Sequence, residues 1–417
     1  MTSSRSLSER SETRSLSERS ETKRPLRVAM IGYGFMGAAH SVGWRQAPRV
    51  FSLPEAVEMA VVVGRNAEAV ADAAAQWGWQ EWATNWREVI ARDDIDIVDI
   101  VTPGDSHAEI AIAALEAGKH VLCEKPLANT VAEAEAMADA AERASARGVR
   151  AMVGFTYRRV PAVTLMRDMI VEGAVGTVQQ VRAAYRQDWL VDPAMPLAWR
   201  LQKEHAGSGA LGDIGAHIID MTQFVTGQTV ERVSGTLETI VKERPLQAAG
   251  SGLSGEAGVG TGTVTVDDLA IFTGRLSGGS LASFEATRFA TGRKNALTVE
   301  VSGDRGALAF DLEDLNSLRF YDRTAPEGRQ GFTQILVTES VHPYVAAWWP
   351  AGHMLGYEHG FSHQVVDLVT AIAEGTDPHP TFAEGLSVQR VLDAVERSSA
   401  NDAAWTPVAA DVLVPGR

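Results

Sequence analysis

The sequence predicts an α/β protein in two parts. The first is a doubly wound parallel sheet, and the second an α+β part with a large, mostly antiparallel open sheet. Three observations carry this. Short apolar runs alternate with helix-compatible stretches as far as Phe155. A glycine-rich hexapeptide, GYGFMG from Gly32 to Gly37, stands between the first apolar run and the first helix. After Tyr157 the spacing changes to period-two, strand-like segments. Strand–helix alternation requires parallel strands with helical crossovers, whereas period-two runs mark a sheet with one covered face.

In chain order, LRVAMI (Leu26 to Ile31) is apolar and stops at Gly32, which fits a buried parallel strand. Helix is expected from Gly37 to Ala47, strand from Val57 to Val63, and an alanine-rich helix from Ala67 to Trp77. A third strand, Ile95 to Val101, ends at Thr102-Pro103. A helix from His107 to Ala117 and a strand from His120 to Cys123 lead into Glu124-Lys125-Pro126. Helix from Thr130 to Ala146 and strand from Arg150 to Phe155 complete the first part.

The second part opens with a helix, Ala162 to Glu172. Strands are expected at Val178 to Arg186, Thr229 to Lys242, Leu269 to Leu276, Ser280 to Thr287, Leu297 to Ser302 and Ala307 to Asp311. Gly-rich 249–262 reads as a mobile loop. Phe361 to Ala373 and Glu384 to Arg397 close the chain as helices. The domain limits are 25–157 and 158–417. Residues 1–24 precede them, with RSLSERSET at 5–13 repeated at 14–22. That segment has almost no apolar residues to bury, so it reads as a disordered tail.

Composition narrows the function. With 38 Lys/Arg against 53 Asp/Glu, the net charge is −15, which argues against nucleic acid as a partner and favours a neutral small molecule. No apolar run approaches the ~20 residues of a membrane span, and the N-terminus has no apolar stretch of the secretory kind. The single Cys123 excludes an intrachain disulfide framework and a thiolate zinc site. A cytoplasmic location is expected.

The glycine loop fits a dinucleotide. Gly32 permits a tight turn, Gly34 lets the backbone approach a diphosphate, and Gly37 lets the helix pack on the strand. Phe35 and Met36 lie between them, where a helix N-terminus offers N–H donors to phosphate. This is the Rossmann pattern. The second strand ends Gly64-Arg65-Asn66, without the acid that usually takes a ribose 2′-hydroxyl. Arg65 suits a 2′-phosphate or adenine stacking, so the expected cofactor is NAD or NADP, with the choice open.

Thr102 and Pro103 end a strand at the carboxyl edge of the sheet, where ligands of such folds bind. His107 starts the next helix, to line the nicotinamide pocket or to cap and pack. Glu124 and Lys125 also follow a strand, with Pro126 fixing the backbone behind them. Downstream, GALGDIGAHIID (209–220) places Asp213 and His217 four residues apart, on one helix face. A lysine, a carboxylate and an imidazole around one alcohol are what hydride removal needs, since a proton must leave as the hydride does.

GYGFMG, the Thr102-Pro103…His107 loop, the Glu-Lys-Pro tripeptide and GDIGAHIID together resemble the Gfo/Idh/MocA oxidoreductase family over residues 25–400. The resemblance implies Lys125, Asp213 and His217 as the catalytic trio. Which of His217 and Lys125 accepts the proton varies within that family and is open here. The segment 187–221, WWP at 348–350 and GYEH at 356–359 are similar to the levoglucosan-oxidising branch, which oxidises the carbon-3 hydroxyl of a pyranose with NAD. This implies a sugar pocket lined by Tyr157, Gln187 and Trp189, residue types suited to stacking and hydroxyl recognition. Trp199 and Arg200 are expected to brace that loop, with Arg200 facing a carboxylate. Inositol oxidation, redox-neutral glycoside cleavage with tightly bound NAD, and non-enzymatic dinucleotide sensing are the alternatives on the same fold. His359 and His363 stand four apart but lack a third ligand, so no metal is expected. The open sheet predicts a homodimer or homotetramer.

Overall fold

The computed structural model describes residues 24–251 and 254–408. The repeat tail lies outside them, apart from Arg24, which pairs with Asp96 at 2.6 Å. The first sheet has six strands: β1 (Leu26–Ile31), β2 (Val57–Val63), β3 (Glu81–Ala83), β4 (Ile97–Ile100), β5 (His120–Cys123) and β6 (Ala151–Val153). They run parallel in the order β3-β2-β1-β4-β5-β6. Their helical crossovers include α1 (Phe35–Val50), α2 (Ala67–Trp77), α3 (Trp86–Ile90), α4 (His107–Glu116) and α5 (Val131–Ser145). Alternate residues of β1 face opposite layers, as the period of a strand demands. Val28 and Met30 pack with Trp44 and Ala47 of α1, while Ala29 and Ile31 join the core with Ile110, Ala114 and Met137.

The second part begins with α6 (Pro161–Val171), β7 (Val178–Arg186) and the short α7 (Lys203–Ala206). A π turn, Leu211–Gly215, leads into α8 (Ala216–Thr226). Then come β8 (Val230–Glu238), β9 (Glu243–Ser251), β10 (Ser254–Thr263), β11 (Leu269–Leu276) and β12 (Leu281–Thr287). They are followed by β13 (Ala296–Gly303), β14 (Gly306–Asp311), β15 (Ser317–Asp322) and β16 (Phe332–Leu336). The chain closes with α9 (His359–Glu374), α10 (Phe382–Ser399) and β17 (Thr406–Pro407). Nine strands form one sheet, β16-β15-β14-β13-β7-β12-β11-β8-β17, antiparallel except where β12 pairs with β7. Helices α6, α8 and α10 cover one face.

The Gly-rich segment expected as a loop is instead paired strand in its described part, the end of β9 and most of β10, with 252–253 outside the described residues. The ladder is made by main-chain groups, which glycine carries like any residue, and irregular pairing near Ala257 takes up its imperfections. This strand pair supports the 187–201 segment: Leu197 N–H donates to Pro245 O at 2.7 Å, and the buried Arg244 donates to the carbonyls of Leu190 and Asp192 at 2.7 and 2.8 Å. The closing helices join both parts. Val365, Leu368 and Val369 of α9 pack with Trp44 on the first sheet, and α10 packs between α5 and β8.

Candidate functional site

The loop between β1 and α1 is shaped as a diphosphate cradle. Gly32 has φ +109°, and a side chain there would lie 2.9 Å from Val101 O, so only glycine fits. Gly37 lies tight beneath it, 3.0 Å from the Gly32 carbonyl in the same sense. Gly34 has open space where a Cβ would be. No side chain caps α1, and no acid stands in its first turn. The N–H groups around Phe35 and Met36 therefore have no side-chain partner to displace, and they fit an anion. At the end of β2, Gly64 admits the ring of Tyr33, which a Cβ would approach to 2.0 Å. Arg65 is exposed and Asn66 caps α2 through Ala69 N–H. Thr102 and Pro103 lie at the end of β4, where Ser106 Oγ–H bonds Thr102 Oγ1 at 2.7 Å.

Lys125 leaves β5 beside that loop, and its peptide bond to Pro126 is cis. Its ammonium donates to the main-chain oxygen of Asp213 at 2.8 Å and lies 3.5 Å from Asp213 Oδ1. Asp213 sits in the π turn rather than in regular helix, and His217 follows in α8. Such turns widen a helix and reposition its side chains. The entry to the turn is held by Asp267, which accepts from Gly209 and Leu211 N–H at 2.7 Å each. Arg288, fully buried, stands 3.9 Å from Asp213 Oδ2 and donates to Asp267 O at 2.8 Å.

Burial pushes the Asp213 carboxyl up, but the cations of Lys125, Arg288 and Arg200 outweigh it and hold it below the usual range. Burial, with help from Lys125, drives the His217 imidazole well below its ordinary value against the opposing effect of Asp213. The site thus pairs an ionised carboxylate with a neutral imidazole. Its ring lies 4.6 Å from that of Tyr157.

A hydrogen-bonded chain continues from there. Tyr157 and Tyr185 hydroxyls are 2.9 Å apart, and Tyr185 O–H donates to Asn295 Oδ1 at 2.7 Å. Gln187 Nε2 donates to the same oxygen at 2.9 Å, and Trp189 Nε1 donates to Gln187 Oε1 at 2.9 Å. Arg288 lies over Trp189, 5.6 Å from the ring centre. Tyr157, Gln187 and Trp189 are therefore one connected wall. Tyr185, Asn295, Arg288 and Asp267 were not singled out in the sequence. Only Tyr185 had a local signal, as an inward residue at the end of a strand.

Other residues are committed within the fold. His107 is buried, its ring nitrogens 3.1 Å from Pro126 O and 2.8 Å from Thr102 O, so it ties two loops together. Glu124 is buried against His40. Asp220, one turn beyond His217, is buried on Arg158. Arg200 lies over Trp199, 4.4 Å from the ring centre, and faces Asp213 electrostatically. His363 has both nitrogens engaged, accepting from Trp348 Nε1 at 2.8 Å and donating to Arg159 O at 2.9 Å. Trp349 is exposed, whereas Tyr357 stacks 6.5 Å from Phe35 at the head of α1. Among the described residues, no group of three or more His, Cys, Asp or Glu is placed to hold a metal, and no helix is long and apolar enough to cross a membrane.

Comparison with known proteins agrees with this geometry. A family profile described as oxidoreductase family, NAD-binding Rossmann fold, matches residues 26–155, and a GFO/IDH/MocA C-terminal domain profile matches 163–309. The chain is 41% identical to levoglucosan dehydrogenase of Pseudarthrobacter phenanthrenivorans, covering 92% of this chain and 98% of that one. An oxidoreductase domain protein from Kribbella flavida superposes with TM-score 0.89 at 61% identity, over 93% of this chain and 100% of that one. A structure of levoglucosan dehydrogenase with NADH and levoglucosan superposes with TM-score 0.87 at 40% identity, over 93% and 100%. With both halves matched and a relative this similar along nearly all its length, the chain belongs to the Gfo/Idh/MocA family of NAD(P)-dependent oxidoreductases.

Proposed function

We propose that the chain oxidises a ring hydroxyl of a pyranose sugar, glycoside or anhydrosugar of the levoglucosan kind, at carbon 3, giving a 3-keto sugar. The observation that carries this is the meeting of Lys125, Asp213 and His217 beside a wall of hydroxyl, amide and indole groups. The similarity to levoglucosan dehydrogenase along the chain supports the substrate class. The acidic net charge favours a neutral sugar.

Bound NAD or NADP, cradled by the Gly32–Gly37 loop and flanked by Thr102 and Pro103, supplies the hydride acceptor. Lys125 hydrogen-bonds the reacting hydroxyl through its ammonium. His217, neutral at physiological pH, takes the hydroxyl proton. Asp213 keeps Lys125 aimed and stabilises the imidazolium that forms. Gln187 and Tyr157 fix the other hydroxyls, and Trp189 offers a ring face to the pyranose. Residues 25–157 thus hold the dinucleotide and lend Lys125 and Tyr157 to a sugar site otherwise built by the 158–417 part. Arg65 is free to meet a 2′-phosphate, so the chain accepts NADP as well as NAD. The assembly is a homodimer or homotetramer, and the single, buried Cys123 suits the reducing cytoplasm.

The test is absorbance at 340 nm with NAD or NADP and a panel of levoglucosan, glucose, glucosides and inositols. A rise with a pyranose, lost in Lys125→Ala while dinucleotide binding persists, is the expected result. A rise with inositols alone would replace the sugar class. Silence across the panel would favour redox-neutral glycoside cleavage or sensing. Wild-type turnover in Lys125→Ala would overturn the assignment of the site.

A further inference from the structure

Beneath the candidate site lies a buried ionic set in which His40 joins two carboxylates. His40, on α1 one turn after Gly37, is 2% exposed, Asp99 of β4 is 0% and Glu124 is 4%. The Nδ1 of His40 is 2.9 Å from Asp99 Oδ2, and its Nε2 is 2.9 Å from Glu124 Oε1. A neutral imidazole has one N–H, so serving carboxylates on both sides requires the imidazolium. Although burial opposes the charge most strongly, Asp99 and Glu124 overcome it and raise the imidazole to about 10. Trp44 Nε1 donates to Asp99 at 2.7 Å. The second oxygen of Glu124 accepts the Lys125 main-chain N–H at 3.2 Å. Gly154 leaves room for this carboxylate, since a side chain there would come 2.7 Å from Glu124 Oε1.

We propose that His40 is a positioning residue: clamped by Asp99, its imidazolium fixes Glu124, which holds the main chain of Lys125 and sets the charge beside it. The device links the helix that carries the glycine cradle to the residue that faces the substrate hydroxyl. It deepens the function proposed above and rests on Lys125 acting there. The three groups together carry one net negative charge. The other ionisable groups near them are Cys123 on β5 and the phenols of Tyr157 and Tyr357. From α9, Phe361 packs on His40 with ring centres 5.3 Å apart and brings no charge. Lys125 itself also faces Asp213 and His217. Replacing His40 by a neutral amide leaves both carboxylates uncompensated, each with a remaining donor, and favours the Lys125 ammonium. Replacing Glu124 by glutamine removes the negative charge that adjoins the Lys125 main chain and disfavours it.

The experiment is competitive labelling of the NADH-loaded protein with trace acetic anhydride across pH, reading the Lys125 peptide by mass spectrometry. The high-pH plateau reports access to Lys125, and the midpoint reports its charge environment. At a fixed pH below the midpoint, and after normalising to the plateau, Glu124→Gln should label about tenfold faster than wild type and His40→Gln about tenfold slower. A part that is only structural would loosen the site, raising the plateau in both variants and leaving both midpoints in place. That result overturns the proposal. NADH fluorescence checks that each variant binds dinucleotide. Should His40→Gln fail that check, the Glu124→Gln midpoint decides alone: a fall supports the device and an unmoved midpoint ends it. Wild-type turnover in Lys125→Ala would instead remove the functional reading, whatever the labelling shows.

Discussion

His40 and His363 are both buried imidazoles, yet their surroundings give them opposite charge. His40 lies between two carboxylates that raise it to about 10. His363 is lowered to about 3 by burial foremost, and the part-buried His120 to about 4 for the same reason, with Arg150 assisting. The signs follow from linkage. The His40 contribution is fully present below the ordinary imidazole value of 6.5 and is lost as pH rises toward 10. The His120 and His363 contributions are present above 6.5 and are lost as pH falls through about 4 and about 3. Thermal melting followed by circular dichroism from pH 4 to pH 10 should therefore fall away on both arms. His40→Gln should cost about 3 kcal/mol near neutrality, because a buried ionic set has lost its centre. It should also flatten the alkaline arm. An alkaline arm of unchanged slope in that variant would show that His40 is not charged in the folded state.

Several elements were legible in the sequence to their last residue, and the reasons are local. β1, β2, β5, β7, β11 and α2 have the predicted bounds, because apolar, β-branched or alanine-rich runs end there at glycine or polar residues. The Gly-rich pair β9 and β10 reads as a loop in sequence because glycine has no side-chain signal, while its ladder is purely main-chain. β15 and β16 escaped notice because they extend a sheet whose existence only tertiary pairing reveals. The site divides the same way. Lys125, Asp213 and His217 stand in short motifs whose spacing has a geometric meaning. Asn295 stands in a polar turn and acquires a role only when Tyr185, 110 residues away in sequence, donates to it. The end of β7 therefore supplies a prediction. Tyr185→Phe removes the hydroxyl that joins Tyr157 to Asn295, and with it a bond that steadies the Asn295 oxygen to which Gln187 donates. The two hydrogen bonds lost with that hydroxyl, partly offset by removal of the group that needed them, cost the wall about 1.4 kcal/mol. The KM for sugar should rise about tenfold, with dinucleotide affinity unchanged. Steady-state kinetics with each substrate varied in turn measures both. A change confined to the dinucleotide would remove Tyr185 from the sugar wall.

The nine-stranded sheet packs helices α6, α8 and α10 against one face, and a subunit contact is the expectation for the other. Ile271 is 54% exposed and Leu281 37% on adjacent strands. The same face carries the small residues Ala184, Thr298 and Ala309 and two cross-strand ion pairs, Arg182 with Glu300 at 2.8 Å and Arg186 with Glu285 at 2.9 Å. Nine strands spaced about 4.8 Å apart span about 40 Å, and strands of this length run about 20 Å. That is about 800 Å² for each copy, the size of a standard specific interface. Sheets pack face to face through small and branched residues, and charges held in pairs cost less to cover than lone ones. Light scattering at micromolar concentration should give twice or four times the 44.7 kDa chain mass. Joint substitution of Ile271→Asp and Leu281→Asp places four like charges at a two-fold contact and should reduce the mass by half or more. The proposed sugar wall lies on the helix-covered side, where Tyr185 meets His217 of α8, so dinucleotide binding should survive the change. A wild-type monomer, or a double variant with undiminished mass, would mean that the outer face meets water rather than a second copy.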